Sequence, residues 1–302
     1  MSGKKIIRVG SRDSALAVGQ TQLVTRAIMR FHPEIQTELV TMKTAGDLNL
    51  RPFEELNKDA TGNPKELFVK ELEQALLDGR IDLAVHSLKD MPAERPNDPL
   101  SVLAFFERGD PRDALVLPLK KNDDSQNFTI GCSSARRRAQ LTPLIPDCAV
   151  LPVRGNVLTR LKKLDEGGEY SALILAAAGL KRLGLGHRIS RIFEPEEMIP
   201  AAGQGTLACQ GLRGGDYGYL DAVNDLDSQY RARAERAFVA RLGSGCTLPV
   251  AAYAELRGTE LRLMALYADE ERGIYRKGTL SGSREDAVKL GENLAENLLF
   301  ST

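Results

Sequence analysis

Three short segments of the sequence concentrate side chains that could do chemistry. One is "RLGSGCTLPV", where Cys246 lies on a glycine loop directly after a predicted helix. A structural cysteine usually sits inside an apolar strand or helix, whereas a glycine loop lets the backbone turn freely and present a sulfur. This placement suits a chemical attachment point. No histidine is close in sequence, so a Cys-His hydrolase has no local support.

The second segment is "VHSLKDMP", where a predicted strand runs out into a loop that carries Ser87, Lys89 and Asp90. Ligands of open α/β sheets lie at the carboxyl ends of the strands. Asp90, beside a lysine, could stay ionised and serve as an acid, a base or a cation stabiliser. The alternative is a plain salt bridge at the strand end. We expect His86 to be a packed strand histidine rather than a ligand.

The third segment, residues 131–161, holds five arginines and one aspartate, with no lysine or glutamate: Arg136, Arg137, Arg138, Arg154 and Arg160. The planar guanidinium suits carboxylates and phosphates and keeps its charge at any working pH. Two of the groups, "SSARRR" and "RGNVLTR", open predicted helices, whose amino termini attract anions. The alternatives are a solvated helix face or a nucleic-acid patch, but no aromatics interleave.

A fourth segment, "AAGQGTLA", matches the G-x-G-x-x-A pattern of dinucleotide sites. It lacks a β-branched strand before it and an acidic partner after it, and both belong to that fingerprint. The sequence therefore disfavours a dinucleotide site here.

Composition narrows the class of protein. The 302 residues exceed what one hydrophobic core usually serves, and 41 basic residues balance 41 acidic ones, so no global field favours nucleic acid or a membrane surface. The start lacks the apolar core of a signal peptide, and no apolar run could span a bilayer. Four scattered cysteines form no CxxC pair and zinc-ligand spacing is absent, so no metal is expected. A cytoplasmic protein with free thiols is the expectation.

The order of elements predicts the architecture. Strands alternate with helices in two successive sets, which implies α/β units with a parallel sheet between layers of helices. After "IPAAGQGTLACQG" the pattern changes to a helix, three strands of an antiparallel sheet and a closing amphipathic helix. We expect two similar α/β domains and a smaller α+β domain that carries Cys246.

The chain resembles the porphobilinogen deaminase, or hydroxymethylbilane synthase, family. The resemblance rests on motifs in order from about Ile6 to the last helix: "VGSRDSALAVGQ", "KTAGD", "ELFVKELEQALLDGRIDLAVHSLKDMP", "GCSSARRRAQL", "RGNVLTRLKKLD", "AAAGLKRLG", "IPAAGQGTLA" and "LGSGCTLPVAAYA". It implies two doubly wound domains like the lobes of a periplasmic binding protein, plus the small third domain with its three-stranded antiparallel sheet. The domains implied are 1–104 with 202–220, then 105–201, then 221–302.

The resemblance also implies an activity. Four porphobilinogen molecules would condense head to tail, with loss of ammonia, into the linear tetrapyrrole hydroxymethylbilane. Elongation would proceed on a dipyrromethane primer joined to Cys246 by a thioether. Porphobilinogen is the expected partner, with no nucleic acid and no membrane, and the protein is expected to be a monomer.

Site roles follow residue by residue from the matched motifs. Asp90 and Lys89 match the catalytic positions, since a developing pyrrole cation needs a fixed anion. The implied cofactor contacts are Cys246, Ser87, Lys89, Asp90, Ser133, Ser134, Arg136, Arg137 and Arg160. The implied substrate contacts are Arg12, Ser14, Gln20, Arg154, Arg160 and Arg182. Each pyrrole brings two carboxylates, which accounts for concentrated arginine in a neutral chain.

Two segments depart from the family pattern. The stretch "GNPKELF" replaces a glycine-lysine-glycine-like sequence, next to residues 45–65, which we expect to form a lid over the cleft. Ser244 and Gly245 precede the cysteine where Gly-Gly is usual. The rival interpretations are a non-catalytic two-lobed anion-binding protein and a regulatory domain that binds an acidic metabolite or nucleic acid. The first leaves Cys246 and Asp90 without a role and would normally need an export signal, and the second is disfavoured by the neutral charge and the absence of a helix-turn-helix pattern.

Overall fold

The computed structural model describes residues 5–44, 66–92, 98–120, 128–243 and 249–300. Cys246, with Ser244 and Gly245, and the predicted lid at 45–65 lie outside the described residues. Three sheets organise the described part of the chain. No helix within it is long and apolar enough to cross a membrane.

The first sheet has the strand order β2-β1-β3-β10-β4 and, with its helices, forms what we call the first lobe. Its elements are β1 (Lys5–Arg12), α1 (Ala15–Phe31), β2 (Ile35–Met42), α2 (Glu66–Leu77), β3 (Leu83–Ser87), β4 (Leu100–Phe105) and β10 (Leu207–Leu212). Strand β3 is buried from Leu83 to His86, as expected for a central strand covered on both faces. A single 3-10 turn, Leu88–Asp90, follows it and carries the "LKD" of the predicted site.

The second sheet has the order β7-β6-β8-β5-β9 and belongs to the second lobe. Its elements are β5 (Asp113–Val116), β6 (Thr129–Gly131), α3 (Ala135–Leu144), β7 (Ala149–Leu151), α4 (Val157–Glu166), β8 (Ala172–Ala176), α5 (Ala177–Arg182) and β9 (Arg191–Ile192). Helices α3 and α4 each begin at a side-chain cap: Ser134 accepts from the Arg137 amide and Asn156 from the Thr159 amide. These caps fix the start of both arginine-bearing helices.

The third unit packs two helices on a three-stranded antiparallel sheet. Its elements are α6 (Leu226–Arg241), β11 (Val250–Arg257), β12 (Glu260–Asp269), β13 (Ile274–Ser283) and α7 (Ala287–Phe300). Buried side chains of both helices, including Phe238 and Leu294, meet the sheet in one apolar cluster. The predicted fold class is confirmed: two α/β lobes plus a smaller α+β unit.

Each of the two lobe sheets, expected to be parallel, contains one antiparallel strand. Strand β10 runs antiparallel to both β3 and β4, and β5 runs antiparallel to β8 and β9. In each sheet the antiparallel strand, β10 or β5, is the first strand after the chain crosses from the other lobe. Its direction is therefore set by the crossing rather than by a preceding helix of the same lobe.

The chain passes between the lobes twice, first through residues 106–112 and then through residues 200–206. We call residues 200–206 the crossover segment. The two passages are joined by a hydrogen bond from the Gly109 amide to the Gly205 carbonyl at 3.1 Å. Helices α1 and α5 meet beside them, where Leu16 approaches Gly179. The first-lobe site loop and the second-lobe arginines are therefore brought together around these crossings.

The contact between α6 and α7 yields the first prediction. A Cβ at Gly291 would overlap the Ala234 carbonyl oxygen and approach the Phe238 amide nitrogen to 2.8 Å. Because both are backbone atoms of a packed helix, Gly291→Ala should destabilise the fold by about 1–3 kcal/mol. The matched control is Gly19→Ala within α1, where no atom lies within 4 Å of the added carbon. That variant should gain about 0.5–1 kcal/mol. Urea unfolding that found both changes neutral would contradict the close helix contact.

Candidate functional site

The first-lobe part of the site is the turn after β3. Ser87 Oγ donates to Gln20 Oε1 of α1 at 3.2 Å, which ties the strand end to the helix. Lys89 and Asp90 follow, both half-buried. Burial lowers the pKa of Lys89 to about 8, against the charge of Asp90, which acts to raise it. Among the described residues, the Asp90 carboxylate accepts no hydrogen bond, so it remains available to a ligand.

His86 precedes this turn and is buried. Its Nε2 lies 3.0 Å from Gln210 Oε1. Burial lowers the pKa of His86 to about 4, so the ring is neutral at physiological pH. This agrees with the expectation of a packed strand histidine.

The second-lobe part of the site centres on a carboxylate that the sequence analysis did not single out. Asp113, at the start of β5, is fully buried between two arginines. Arg137 donates to Asp113 Oδ1 from Nε at 3.0 Å and from Nη2 at 2.7 Å. Arg136 Nη1 lies 2.8 Å from Oδ2. The two guanidinium groups hold the pKa of Asp113 well below its usual range although burial acts to raise it.

Arg136 and Arg137 are therefore built into the lobe rather than displayed on a helix face. Each also donates to a backbone carbonyl, Arg136 to Ile199 at 2.7 Å and Arg137 to Ile174 at 2.9 Å. Burial acts to lower the pKa of Arg137, but the charge of Asp113 outweighs it and the pKa is raised. These contacts fix the guanidinium planes and leave part of their donor sets to face the cleft.

Burial disfavours the charged form of three other predicted arginines. Burial, and then the charge of Arg137, lowers the pKa of Arg160 to about 10. Burial lowers the pKa of Arg182 to about 10 and also lowers that of Arg154. Arg160 Nε donates to the Gly155 carbonyl at 2.8 Å, while its terminal nitrogens form no hydrogen bond with any described residue. Partly desolvated cations of this kind favour an anionic ligand.

Several predicted contact residues have structural roles. Ser14 Oγ caps α1 by accepting from the Ala17 amide at 3.3 Å, and Ser134 caps α3. Ser133 Oγ donates to the Val153 carbonyl at 2.6 Å and accepts from the Val153 amide at 2.9 Å, which joins the loops after β6 and β7. Arg182 Nη2 donates to the Gly205 carbonyl of the crossover segment. Arg12 lies half-buried at the end of β1.

Charge interactions join the two halves of the site. The charge of Asp90 acts to raise the pKa values of Arg137 and Arg160, and Arg137 and Arg136 act to lower that of Lys89. The amide of Gln204 bridges the halves directly, because it contacts both Lys89 Nζ and Asp113 Oδ1. Sequence reasoning missed Asp113 and Gln204. The acidic "GDPRD" turn before β5 and the glycines around Gln204 were the signals present.

The residues present fit a ligand that carries several carboxylates. Among the described residues of the site, guanidinium groups outnumber the carboxylates of Asp90 and Asp113, and Asp113 is already paired with Arg136 and Arg137. Among the described residues, no cluster of three or more His, Cys, Asp or Glu could hold a metal ion. The fold and the site thus define a two-lobed α/β protein with an arginine-rich site where its lobes meet, a donor set that suits an anionic ligand.

Comparisons with known proteins agree. Residues 7–217 match the family model "Porphobilinogen deaminase, dipyromethane cofactor binding domain", and residues 229–300 match "Porphobilinogen deaminase, C-terminal domain". The porphobilinogen deaminase of Alkaliphilus oremlandii is 49% identical over 289 residues, 96% of this chain and 95% of that protein. The porphobilinogen deaminase of Acetivibrio thermocellus is 49% identical over 293 residues, which cover 97% of this chain and 98% of that protein. The solved structure of the methionine binding protein MetQ gives a TM-score of 0.43 at 12% sequence identity. The match covers 76% of this chain and 94% of that one.

The chain belongs to the porphobilinogen deaminase family. It is accordingly a transferase of tetrapyrrole biosynthesis that acts with a dipyrromethane cofactor held on a cysteine. The family, activity and cofactor predicted from the sequence are confirmed.

The Asp113 cluster yields the second prediction. Asp113→Asn keeps the shape but leaves two buried guanidinium groups without their carboxylate, so the free energy of unfolding should fall by about 3–5 kcal/mol. The control is Asp82→Asn, because Asp82 forms an equally close pair with Arg8 on the surface, Oδ1 to Nη2 at 2.7 Å. That change should cost about 1 kcal/mol or less. Urea unfolding at pH 7 compares the two variants.

The same cluster fixes the sign of an acid effect. The pKa of Asp113 is lower in the folded protein than in the unfolded chain. The stability that ionised Asp113 gives to the folded protein is therefore fully present above about pH 4 and is lost as the pH falls further. Asp113→Asn should show less acid destabilisation than the wild type, and equal losses in Asp113→Asn and Asp82→Asn would contradict the buried cluster.

Proposed function

We propose that condensation of porphobilinogen takes place in the cleft between the lobes, with Asp90 and Lys89 as the catalytic residues. The observation that carries this proposal is the Gln204 amide, which contacts Lys89 Nζ of the first lobe at 3.2 Å and Asp113 Oδ1 of the second-lobe arginine cluster at 2.9 Å. Asp90, whose carboxylate has no hydrogen-bond partner among the described residues, thus lies near cations that can anchor substrate carboxylates.

Asp90 stabilises positive charge on the pyrrole nitrogen of porphobilinogen. As the C–N bond of the protonated aminomethyl group breaks, the electron pair goes with nitrogen, ammonia leaves, and positive charge spreads into the ring. The arginines that bind the acetate and propionate groups would raise the energy of this cation, and a fixed carboxylate offsets that effect. Lys89, whose pKa of about 8 leaves it largely protonated at neutral pH, binds a carboxylate or pairs with Asp90.

The arginines divide by how they are supported. Arg136 and Arg137, fixed by Asp113, hold the cofactor carboxylates together with Ser87, Ser133, Ser134 and Arg160. The dipyrromethane, when bound, supplies the nucleophilic pyrrole that receives the new unit. Incoming substrate is held by Arg12, Ser14, Gln20, Arg154, Arg160 and Arg182. Arg182 supports this division, because its bond to Gly205 leaves other donors without a hydrogen-bond partner among the described residues.

Cys246 is the proposed attachment point for the cofactor. The other cysteines support this choice: Cys132 and Cys209 are buried in the lobe cores and Cys148 is half-buried in the second lobe. Burial raises the pKa values of Cys148 and Cys209, which disfavours the reactive thiolate. Cys246 instead follows helix α6 in the sequence, within the glycine-bearing "GSGC".

The remaining features complete the proposal. The domains are 1–104 with 202–220, then 105–201, then 221–302, and the position of β10 in the first sheet supports the discontinuous first domain. We further propose a cytoplasmic monomer that binds no nucleic acid, since the formal net charge is zero.

The third prediction concerns the cofactor. Intact-protein mass spectrometry should find an adduct of two pyrrole units, and peptide mapping should locate it on Cys246. Cys246→Ser should lack both adduct and activity, and it should unfold more easily because the cleft cations lose their neutralising ligand. Cys148→Ser is the control and should keep the adduct. A free Cys246 thiol in active enzyme would refute the assignment.

The fourth prediction concerns Asp90. Asp90→Asn removes the charge that offsets the developing cation and should slow turnover by about 10²–10³. Asp90→Glu keeps the charge one methylene out of place and should retain part of the rate. The measurement is single-turnover conversion of porphobilinogen by variants shown by mass to hold the cofactor. If Asp90→Asn reacted as fast as the wild type, Asp90 would be a structural residue.

A further inference from the structure

Gln204 lies in the crossover segment, within the "GQG" whose glycines first suggested a dinucleotide site. Gly203 and Gly205 have φ values of +76° and +93°, which strongly favour glycine. A Cβ at Gly203 would come within 2.8 Å of Leu88, and one at Gly205 within 2.6 Å of the Gly109 carbonyl. The two glycines thus let the backbone fit between the catalytic turn and the other interlobe passage. Gly203 and Gly205 thus fix the backbone position of Gln204 between them.

Both ends of the Gln204 amide are specified by their partners. Nε2 donates to Asp113 Oδ1 at 2.9 Å and to the Pro111 carbonyl at 2.6 Å. Oε1 accepts from Lys89 Nζ at 3.2 Å. The flipped amide would point hydrogens at an ammonium group and an oxygen at a carboxylate, so only one orientation is favourable. The residue itself is 1% exposed, which makes these bonds hard for water to replace.

The surroundings of Lys89 show what this contact does. Asp90 faces Lys89 from its own turn, while Arg136, Arg137 and Asp113 act on it from the second lobe. Without an acceptor between them, the ammonium group would confront two guanidinium groups across the cleft. The Gln204 oxygen supplies that acceptor, and its amide hydrogens bind the carboxylate that neutralises the guanidinium groups.

We propose that Gln204 is a positioning residue that holds Lys89 in place and in its charged form opposite the Arg136–Asp113–Arg137 cluster. The importance of Lys89 for turnover rests on the proposed function above, but its attachment to Gln204 does not. The segment that links the lobes therefore also couples the catalytic turn of one lobe to the arginine cluster of the other.

The consequence is a specific change in the titration of Lys89. Gln204→Met keeps the length and the burial but removes the acceptor. A hydrogen bond to a charged group favours the charged form, so its loss should lower the pKa of Lys89 by about one unit. Gln204→Glu keeps an oxygen facing Lys89 in either protonation state, so in that variant the pKa should not fall.

The experiment titrates Lys89 directly. Competitive acetylation of the holoenzyme against pH, read by peptide mass, gives the pKa of Lys89 in the wild type, Gln204→Met and Gln204→Glu. Gln210→Met is the matched control, because Gln210 is also buried and bridges His86 and Glu73 without touching Lys89. Adduct occupancy is checked by intact mass. A fall in Gln204→Met alone supports the proposal, and an unchanged pKa in that variant overturns it.

The pH profile of turnover separates the two proposals. If Lys89 must be charged, the basic limb of the profile should move down by about one pH unit in Gln204→Met, as the titration does. A shifted titration with an unshifted profile would leave the positioning role supported and would overturn the role of Lys89 in the proposed function. Should Gln204→Met fail to fold, a fall of the Lys89 pKa in Gln204→Glu would overturn the positioning role.

Discussion

The buried carboxylate of Asp113 is the constraint on which the site depends. Two guanidinium groups taken out of water would strongly destabilise the second lobe if nothing paired with them. Asp113 can pair with both because β5 begins at this residue and β5 lies between β8 and β9 in the sheet. The antiparallel direction of β5 is therefore part of the site: it brings the first residue of an incoming strand to the arginine-bearing helix α3.

The third unit is attached at the same place. Glu235 of α6 is buried and accepts from the Gly203 amide at 2.7 Å, from the Ala254 amide at 2.8 Å and from Arg108 Nη1 at 2.7 Å. Arg108 in turn donates from Nε to the Gln204 carbonyl at 2.9 Å. One carboxylate thus holds the crossover segment, the other interlobe passage and β11 of the third unit. Helix α6, which leads toward Cys246, is anchored to the segment that carries Gln204.

The sequence predicts the arginines and Lys89 of the site far better than it predicts Asp113 and Gln204, the residues that contact them. Arginines at the starts of helices after short strands are a local pattern, as is "SLKD" at the end of a buried strand, and both motifs lie where expected. Asp113 is 24 residues from Arg137, and Gln204 is 91 residues from Asp113. No periodicity or spacing connects positions so far apart, because their contacts depend on which strand neighbours which. The antiparallel placement of β10 and β5 has the same origin, since direction within a sheet follows from the path of the chain between lobes.

The proposed site combines two kinds of cation within a protein of zero formal net charge. Arg136 and Arg137 are already neutralised in part by Asp113, so their geometry costs little to maintain and they form a rigid binding surface. Arg154, Arg160 and Arg182 have lowered pKa values from burial, so their charged forms gain from each carboxylate that arrives. A ligand with a single carboxylate can offset only part of the free-energy cost of burying these charged arginines. A ligand with several carboxylates at fixed spacing would offset that cost at several arginines at once, while the crossover segment holds Lys89, next to Asp90, through Gln204.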